Sequence, residues 1–173
     1  MCTEEMLTVI AMLYVDTIFH IPHDKRSQAG EAHKKFHSTA GDHVMMMNVW
    51  RAWNGTKCNK SWCHENFINE RNLRTAKEVR GQLGKLWDAT GAKRDTCGTQ
   101  FDQLRKCLAK GFADHVATLQ VDGTYKSGKL EVFIHPSSCL NRMKPECVLY
   151  TELVQTNKLY MRNITVIDPK WIS

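Results

Sequence analysis

Residues 101 to 138 read FDQLRKCLAKGFADHVATLQVDGTYKSGKLEVFIHPSS, and within that stretch the spacing of the apolar side chains changes. Leu104, Leu108, Phe112 and Val116 recur at four-residue steps, one face of a helix that the spacing predicts over Phe101 to Thr118. Beyond it, Asp122-Gly123 and Ser127-Gly128 supply tight turns, and the period becomes two. Leu130, Val132 and Ile134 now alternate with Glu131, Phe133 and His135. The stretches Cys147 to Val154 and Leu159 to Ile167 are rich in β-branched and aromatic residues and predict further strands. Upstream of Phe101 the helical period prevails. Helices first and short strands after them predict an α+β chain whose two kinds of element are segregated.

Working upstream, the clearest helix runs from Asn69 to Trp87. Leu73, Ala76, Val79, Leu83, Leu86 and Trp87 fall on one face, with Arg71, Arg74, Lys77 and Lys85 roughly opposite, so one stripe is core and the other a basic ridge. Gly81 and Gly84 interrupt it, each costing about 1 kcal/mol relative to alanine. Earlier helices are expected over Thr3 to Phe19, Ala29 to His37, from Asp42 as a capping residue to Asn54-Gly55, and over Trp62 to Ile68. Trp50, Trp53, Trp62, Phe67 and Trp87 lie on apolar faces and are assigned to the core, with Met45, Met46 and Met47 filling gaps. The polar, glycine-containing stretch Ala89 to Thr99 is expected to be a linker.

Hydrophobic residues make up 42% of the 173 and charged residues 24%, a globular balance. The formal charge of +6, spread evenly on either side of Thr96, favours a polyanionic partner or an anionic surface. Seven cysteines without a C-x-x-C pair fit a reduced, intracellular chain. The apolar run Met6 to Val15 is too short to span a bilayer and, preceded by Glu4 and Glu5, has the wrong flank for a secretory signal, so no membrane partner is expected. Cys58, Cys63 and His64 lack a second ligand pair at matching spacing, so no metal site is assigned.

Several strings also occur in a telling order. They are Glu4-Glu5-Met6-Leu7-Thr8 with Val15-Asp16, Gly41-Asp42-His43 running into Asn48-Val49, Trp62-Cys63-x-Glu65-Asn66-Phe67-Ile68, and Arg71-x-Leu73-x-x-Ala76-x-x-Val79-Arg80-x-Gln82-Leu83. Ile134-His135-Pro136-Ser137-Ser138 follows, then Tyr150-x-Glu152-Leu153, Thr156-x-Lys158-x-Tyr160-Met161-Arg162 and Ile167-Asp168. In this order they resemble the C-terminal region of the DEAH-box RNA helicases, although Ala40 stands where that family usually has Glu. The resemblance implies a helical, ratchet-like helicase-associated domain over 1–96 and an OB-fold barrel with a leading helix over 97–173. It also implies single-stranded RNA and RecA-like motor domains as partners, pre-mRNA processing or ribosome biogenesis as the setting, and the nucleus or nucleolus as the location. No G-x-x-x-x-G-K-[ST] loop and no Asp-Glu-Ala-His string occurs, so the family's ATP and magnesium have no place on this chain, which carries no catalytic residue and no cofactor of its own.

Binding RNA without sequence choice calls for cations on phosphates and flat side chains under bases. Arg71, Arg74, Lys77 and Arg80 offer the cations, against the plainer reading of a solvated face with pairs such as Arg74 and Glu78. Ser137 and Ser138 offer hydroxyls and amides in a turn that also serves simply to end a strand. Thr156, Lys158, Tyr160 and Arg162 offer cations beside an aromatic ring, or else a charge-protected edge. A rival reading makes the chain a protein-docking fragment that binds motor domains or a regulator through the apolar helix Met6 to Phe19, provided that helix lacks cover.

Overall fold

The computed structural model describes residues 1–173. Its helices are α1 (Thr3–Tyr14), α2 (Arg26–Lys34), α3 (Asp42–Gly55), α4 (Lys60–Glu65), α5 (Glu70–Ala89) and α6 (Phe101–Gly111). Its strands are β1 (Val116–Leu119), β2 (Tyr125–Ser127), β3 (Leu130–Ile134), β4 (Cys147–Gln155) and β5 (Leu159–Val166). The chain divides into two compact units. The first holds Met1–His37 with Met46–Cys97, and the second Ser38–Met45 with Gly98–Ser173. The resemblance includes residues 38–45 in the helical domain over 1–96, whereas by packing they group with the barrel unit.

In the helical unit α1 lies along α5 and buries Leu7, Val9, Ala11 and Met12, while α5 contributes Leu73 and Ala76 to the same core. Ile10 and Tyr14 are the α1 side chains left exposed, so most of the apolar run is covered within the chain. α1 ends at Tyr14 and not at Phe19. Val15 is already extended, and the following segment pairs instead, Phe19 bridging Ile68 and the Asn69 amide donating to the Ile18 carbonyl at 2.7 Å. Two asparagines start helices here: Asn59 accepts from the Trp62 amide at 3.1 Å, and Asn69 from the Asn72 amide at 3.1 Å. Trp50 and Trp53 are buried, as are Met45, Met46 and Met47, whereas Trp62, Phe67 and Trp87 are half-buried and Leu86 is exposed.

The segment after α5 is strapped down. Arg94 crosses α5 at Gly84, where no side chain stands in its way, and reaches both Asp88 oxygens at 2.8 Å. Glu4 donates its amide to the Asp95 carbonyl at 3.0 Å, and buried Glu5 accepts from Thr96 Oγ1 at 2.5 Å and the Cys97 amide at 3.2 Å. Burial alone raises the Glu5 carboxyl, but the hydrogen bonds from Thr96 and Cys97 outweigh it and hold the group below its ordinary value. The expected linker is therefore ordered as far as Cys97.

In the barrel unit α6 stops at Gly111. The predicted continuation to Thr118 fails because Val116 and Thr118, both β-branched, enter β1 opposite Leu149 and Cys147. The strands close in the order β1-β2-β3-β5-β4, all neighbours antiparallel except β3 and β5, which run parallel. Ala117, Val132, Val148, Tyr150, Met161 and Ile164 fill the interior with Leu140 from the loop after β3. Met161 and Ile164 are three residues apart yet share that interior, because Asn163 takes a left-handed φ of 53° and breaks the alternation. Closure leaves no free sheet edge and gathers the loops at the ends of the barrel.

Candidate nucleic-acid interface

On α5 the four candidate cations have different surroundings. Arg71 is exposed, its carbonyl accepting from Thr75 Oγ1 at 3.0 Å and its guanidinium facing solvent. Arg74 is also exposed, but its Nε lies 2.6 Å from Glu70, the residue one turn before it and not Glu78 one turn after, and its Nη2 donates to the Cys58 carbonyl at 3.2 Å. Lys77 Nζ donates to Cys58 Sγ at 3.3 Å, and Arg74 and Lys77 both lie within 6 Å of the Trp53 ring centroid, at 5.9 and 5.8 Å. Arg80 turns inward: it holds the Glu4 carboxylate, donates to Thr8 Oγ1 at 2.8 Å and covers the Trp50 ring at 5.9 Å. Arg71, Arg74 and Lys77 thus form the surface ridge, and Arg80 ties α5 to α1.

At the barrel the His135-Pro136-Ser137-Ser138 turn leaves β3 and is held from within the unit. Ser138 is buried, its hydroxyl donating to Asp42 Oδ2 at 2.7 Å. The Cys139 amide reaches Asp42 Oδ1 at 2.9 Å, and the Ile164 amide reaches Oδ2 at 2.9 Å. Asp42 therefore receives donors from the turn and from β5, where sequence reading made it a helix cap. Gly41 beside it takes φ +126°, and a Cβ there would stand 2.5 Å from the Ile164 carbonyl oxygen, so only glycine permits the approach. His43, fully buried, sets its Nδ1 2.6 Å from Thr165 Oγ1, and burial pushes its imidazole down to about 4, leaving it neutral. Gly41-Asp42-His43 is a clasp that fixes the turn to β5. Ser138 belongs to that clasp; Ser137 is the exposed member, its Oγ 2.7 Å from His135 Nδ1.

The remaining candidates gather where β3 and β5 run parallel with Phe133 opposite Tyr160. Lys158 Nζ stands 4.4 Å from the Phe133 ring centroid, and Tyr160 packs edge-on to His135 at 5.5 Å. Burial, with the nearby Arg162 charge, pushes the His135 imidazole below its ordinary value. Arg162 lies 3.6 Å from Glu152, and exposed Thr156 sits in the turn between β4 and β5. These strand ends border a groove of about 290 Å³ lined by Phe133, Lys158 and Tyr160 together with Asn141 and Lys144. Sequence reading missed Phe133, Asn141 and Lys144. Phe133 was visible as the outward member of an alternating strand, while Asn141 and Lys144 carry no local signal because only the barrel's closure brings their loop beside β5.

Comparison with known proteins agrees with this geometry. Residues 104–173 match the oligonucleotide/oligosaccharide-binding (OB)-fold family, and residues 1–46 the ratchet-like helicase associated domain (HA2) family. The chain is 41% identical to the ATP-dependent RNA helicase DHX33 of Homo sapiens over 99% of its own length and 24% of that protein's. It is 39% identical to the pre-mRNA-splicing factor ATP-dependent RNA helicase DEAH10 of Arabidopsis thaliana, across 99% of this chain and 26% of that one. With the pre-mRNA-splicing factor prp22 of Schizosaccharomyces pombe the identity is 35%, across 99% and 15%. A helical unit ahead of a closed five-stranded barrel, joined to these matches, defines the class as a helicase-associated accessory region. Over nearly its whole length the chain corresponds to the C-terminal ratchet and OB-fold region of DEAH-box RNA helicases. It spans about a quarter or less of the length of these relatives.

Proposed function

We propose that this chain is an RNA-binding accessory module that clamps single-stranded RNA while RecA-like motor domains, with their own ATP and magnesium, perform the hydrolysis. Arg71, Arg74 and Lys77 guide phosphates on the helical unit; Ser137, Thr156, Lys158, Tyr160 and Arg162 serve the barrel unit. The observation that carries this reading is the barrel groove, where an ammonium sits on an aromatic face beside a second ring, the combination that single-strand binders use for phosphate and base together. The naming of two relatives as pre-mRNA-splicing factors supports a role in pre-mRNA processing in the nucleus; ribosome biogenesis in the nucleolus rests on the family resemblance alone.

The test is a titration of the full chain with single-stranded RNA at several salt concentrations. Binding is expected to be weak and steeply salt-dependent, the log–log slope growing by about −0.7 for each phosphate neutralised, with no ATP turnover. A flat salt response removes the proposal. The rival protein-docking reading retains the exposed Ile10 and Tyr14 and the half-buried Met6 and Leu13 of its apolar helix, which packs along α5.

A further inference from the structure

The loop 56–59, which joins α3 to α4, touches the α5 ridge and is fixed by its own hydrogen bonds. Lys57 and Cys58 both take left-handed backbone, with φ of 58° and 59°, and the Cys58 amide donates to the Trp53 carbonyl at 3.1 Å. The Thr56 hydroxyl donates to that same carbonyl at 2.7 Å and accepts from the Asn59 amide at 3.2 Å. Held in this way, Cys58 meets two ridge cations at once. Its carbonyl accepts from Arg74 Nη2 at 3.2 Å, its sulfur accepts from Lys77 Nζ at 3.3 Å, and its thiol donates to Asn54 Oδ1 at 3.7 Å. The buried Trp53 ring completes the seat, its centroid 5.9 Å from the guanidinium and 5.8 Å from the ammonium. Both cations keep donors beyond those already engaged on Cys58 and Glu70, so each remains able to take a phosphate oxygen.

Resting on the RNA-binding reading, we propose that Cys58 is a positioning residue for RNA, seating Lys77 and Arg74 as a preset pair so that phosphates meet cations already in place. A free lysine or arginine gives up rotamer freedom when it binds and loses affinity by it, whereas one already seated does not. The charge of the ridge comes from α5, but its grip depends on an uncharged thiol and a backbone carbonyl supplied by a different element. Counting charges along the helix does not reveal that dependence.

The experiment is a double-mutant cycle on the full chain, read as affinity for a short single-stranded RNA at low salt, with Cys58→Ala, Lys77→Gln and the two together. Alanine and cysteine both carry a Cβ, so the left-handed backbone is equally strained in either and the melting temperature is expected to hold. Cys58→Ala is expected to weaken binding roughly 2- to 10-fold when Lys77 is present, the effect of ordering one long side chain on binding. It is expected to change nothing once Lys77→Gln has removed the ammonium, because the two residues act as one. Cys58→Ser, which returns an acceptor at the same position, is expected to restore most of the affinity. Binding by Cys58→Ala as tight as that of the unaltered chain overturns the positioning role and leaves the RNA reading intact. An equal loss in both backgrounds also overturns it, since that marks a general effect on the loop. Failure of the unaltered chain to bind the RNA overturns both.

Discussion

His43 owes its protonation state to its surroundings. In the unfolded chain an imidazole takes up a proton near pH 6.5; folded, His43 resists protonation down to about pH 4 because burial removes the water that would solvate the charge. Below pH 6.5 the unfolded state therefore binds the extra proton, and stability falls as pH falls through the window from 6.5 to about 4. One site contributes about 1.4 kcal/mol per pH unit. Urea unfolding is expected to show this slope in the unaltered chain and a shallower one in His43→Phe; identical slopes would show that His43 is not the responsible group.

Arg71 and Arg80 make a second contrast at this scale. Both are arginines on one helix, but Arg80 is tied to Glu4 and Thr8 and Arg71 faces solvent. Arg80→Ala is expected to lower the melting temperature and leave the salt slope of RNA binding in place, since it removes a partly buried pair and packing over Trp50. Arg71→Ala is expected to do the reverse, reducing the slope by about 0.7 with stability within about 0.5 kcal/mol. Melting curves and titrations on the same samples decide it.

Among elements, α5 shows that identical residues carry different meaning within one helix. Gly81 has open space around its α-carbon, so Gly81→Ala is expected to stabilise by about 1 kcal/mol through helix propensity alone. A Cβ on Gly84 would meet the Arg94 guanidinium at 2.5 Å. Gly84→Ala is expected to gain less, or to lose stability, because Arg94 must leave its bidentate contact with Asp88. Chemical denaturation of both variants measures the difference, and equal gains would mean that Arg94 yields freely. The boundaries of α1 and α6 teach a related lesson. Both helical patterns run past their true ends, α1 by the Val15 to Phe19 segment and α6 by the stretch to Thr118, because a backbone partner elsewhere outbids the local period: Ile68 and Asn69 for the first, β4 for the second.

For the whole molecule, much was legible in the residues taken in order. The change of period between Phe112 and Leu130 announces helices followed by strands, and the string of landmarks from Glu4 to Asp168 identifies the family. Lys158 and Tyr160 were found because a strand face shows itself through alternation. The groove was only half legible. Asn141 and Lys144 lie in a loop without periodicity, and their place beside Phe133 depends on β3 running parallel to β5, a pairing of residues distant in sequence.

By itself, the order of residues determined which segments coil, which extend and to which family's C-terminal region the chain corresponds, because these follow from spacing and local identity. The tertiary structure alone decided what the functional-looking side chains do: Ser138 and Arg80 turned inward to Asp42 and Glu4, Asp42 became a clasp, and Phe133 gained Lys158 for a neighbour. A side chain's role depends on which partner it finds across the fold, and such partners, here 25 to 122 positions away along the chain, leave no trace in local spacing.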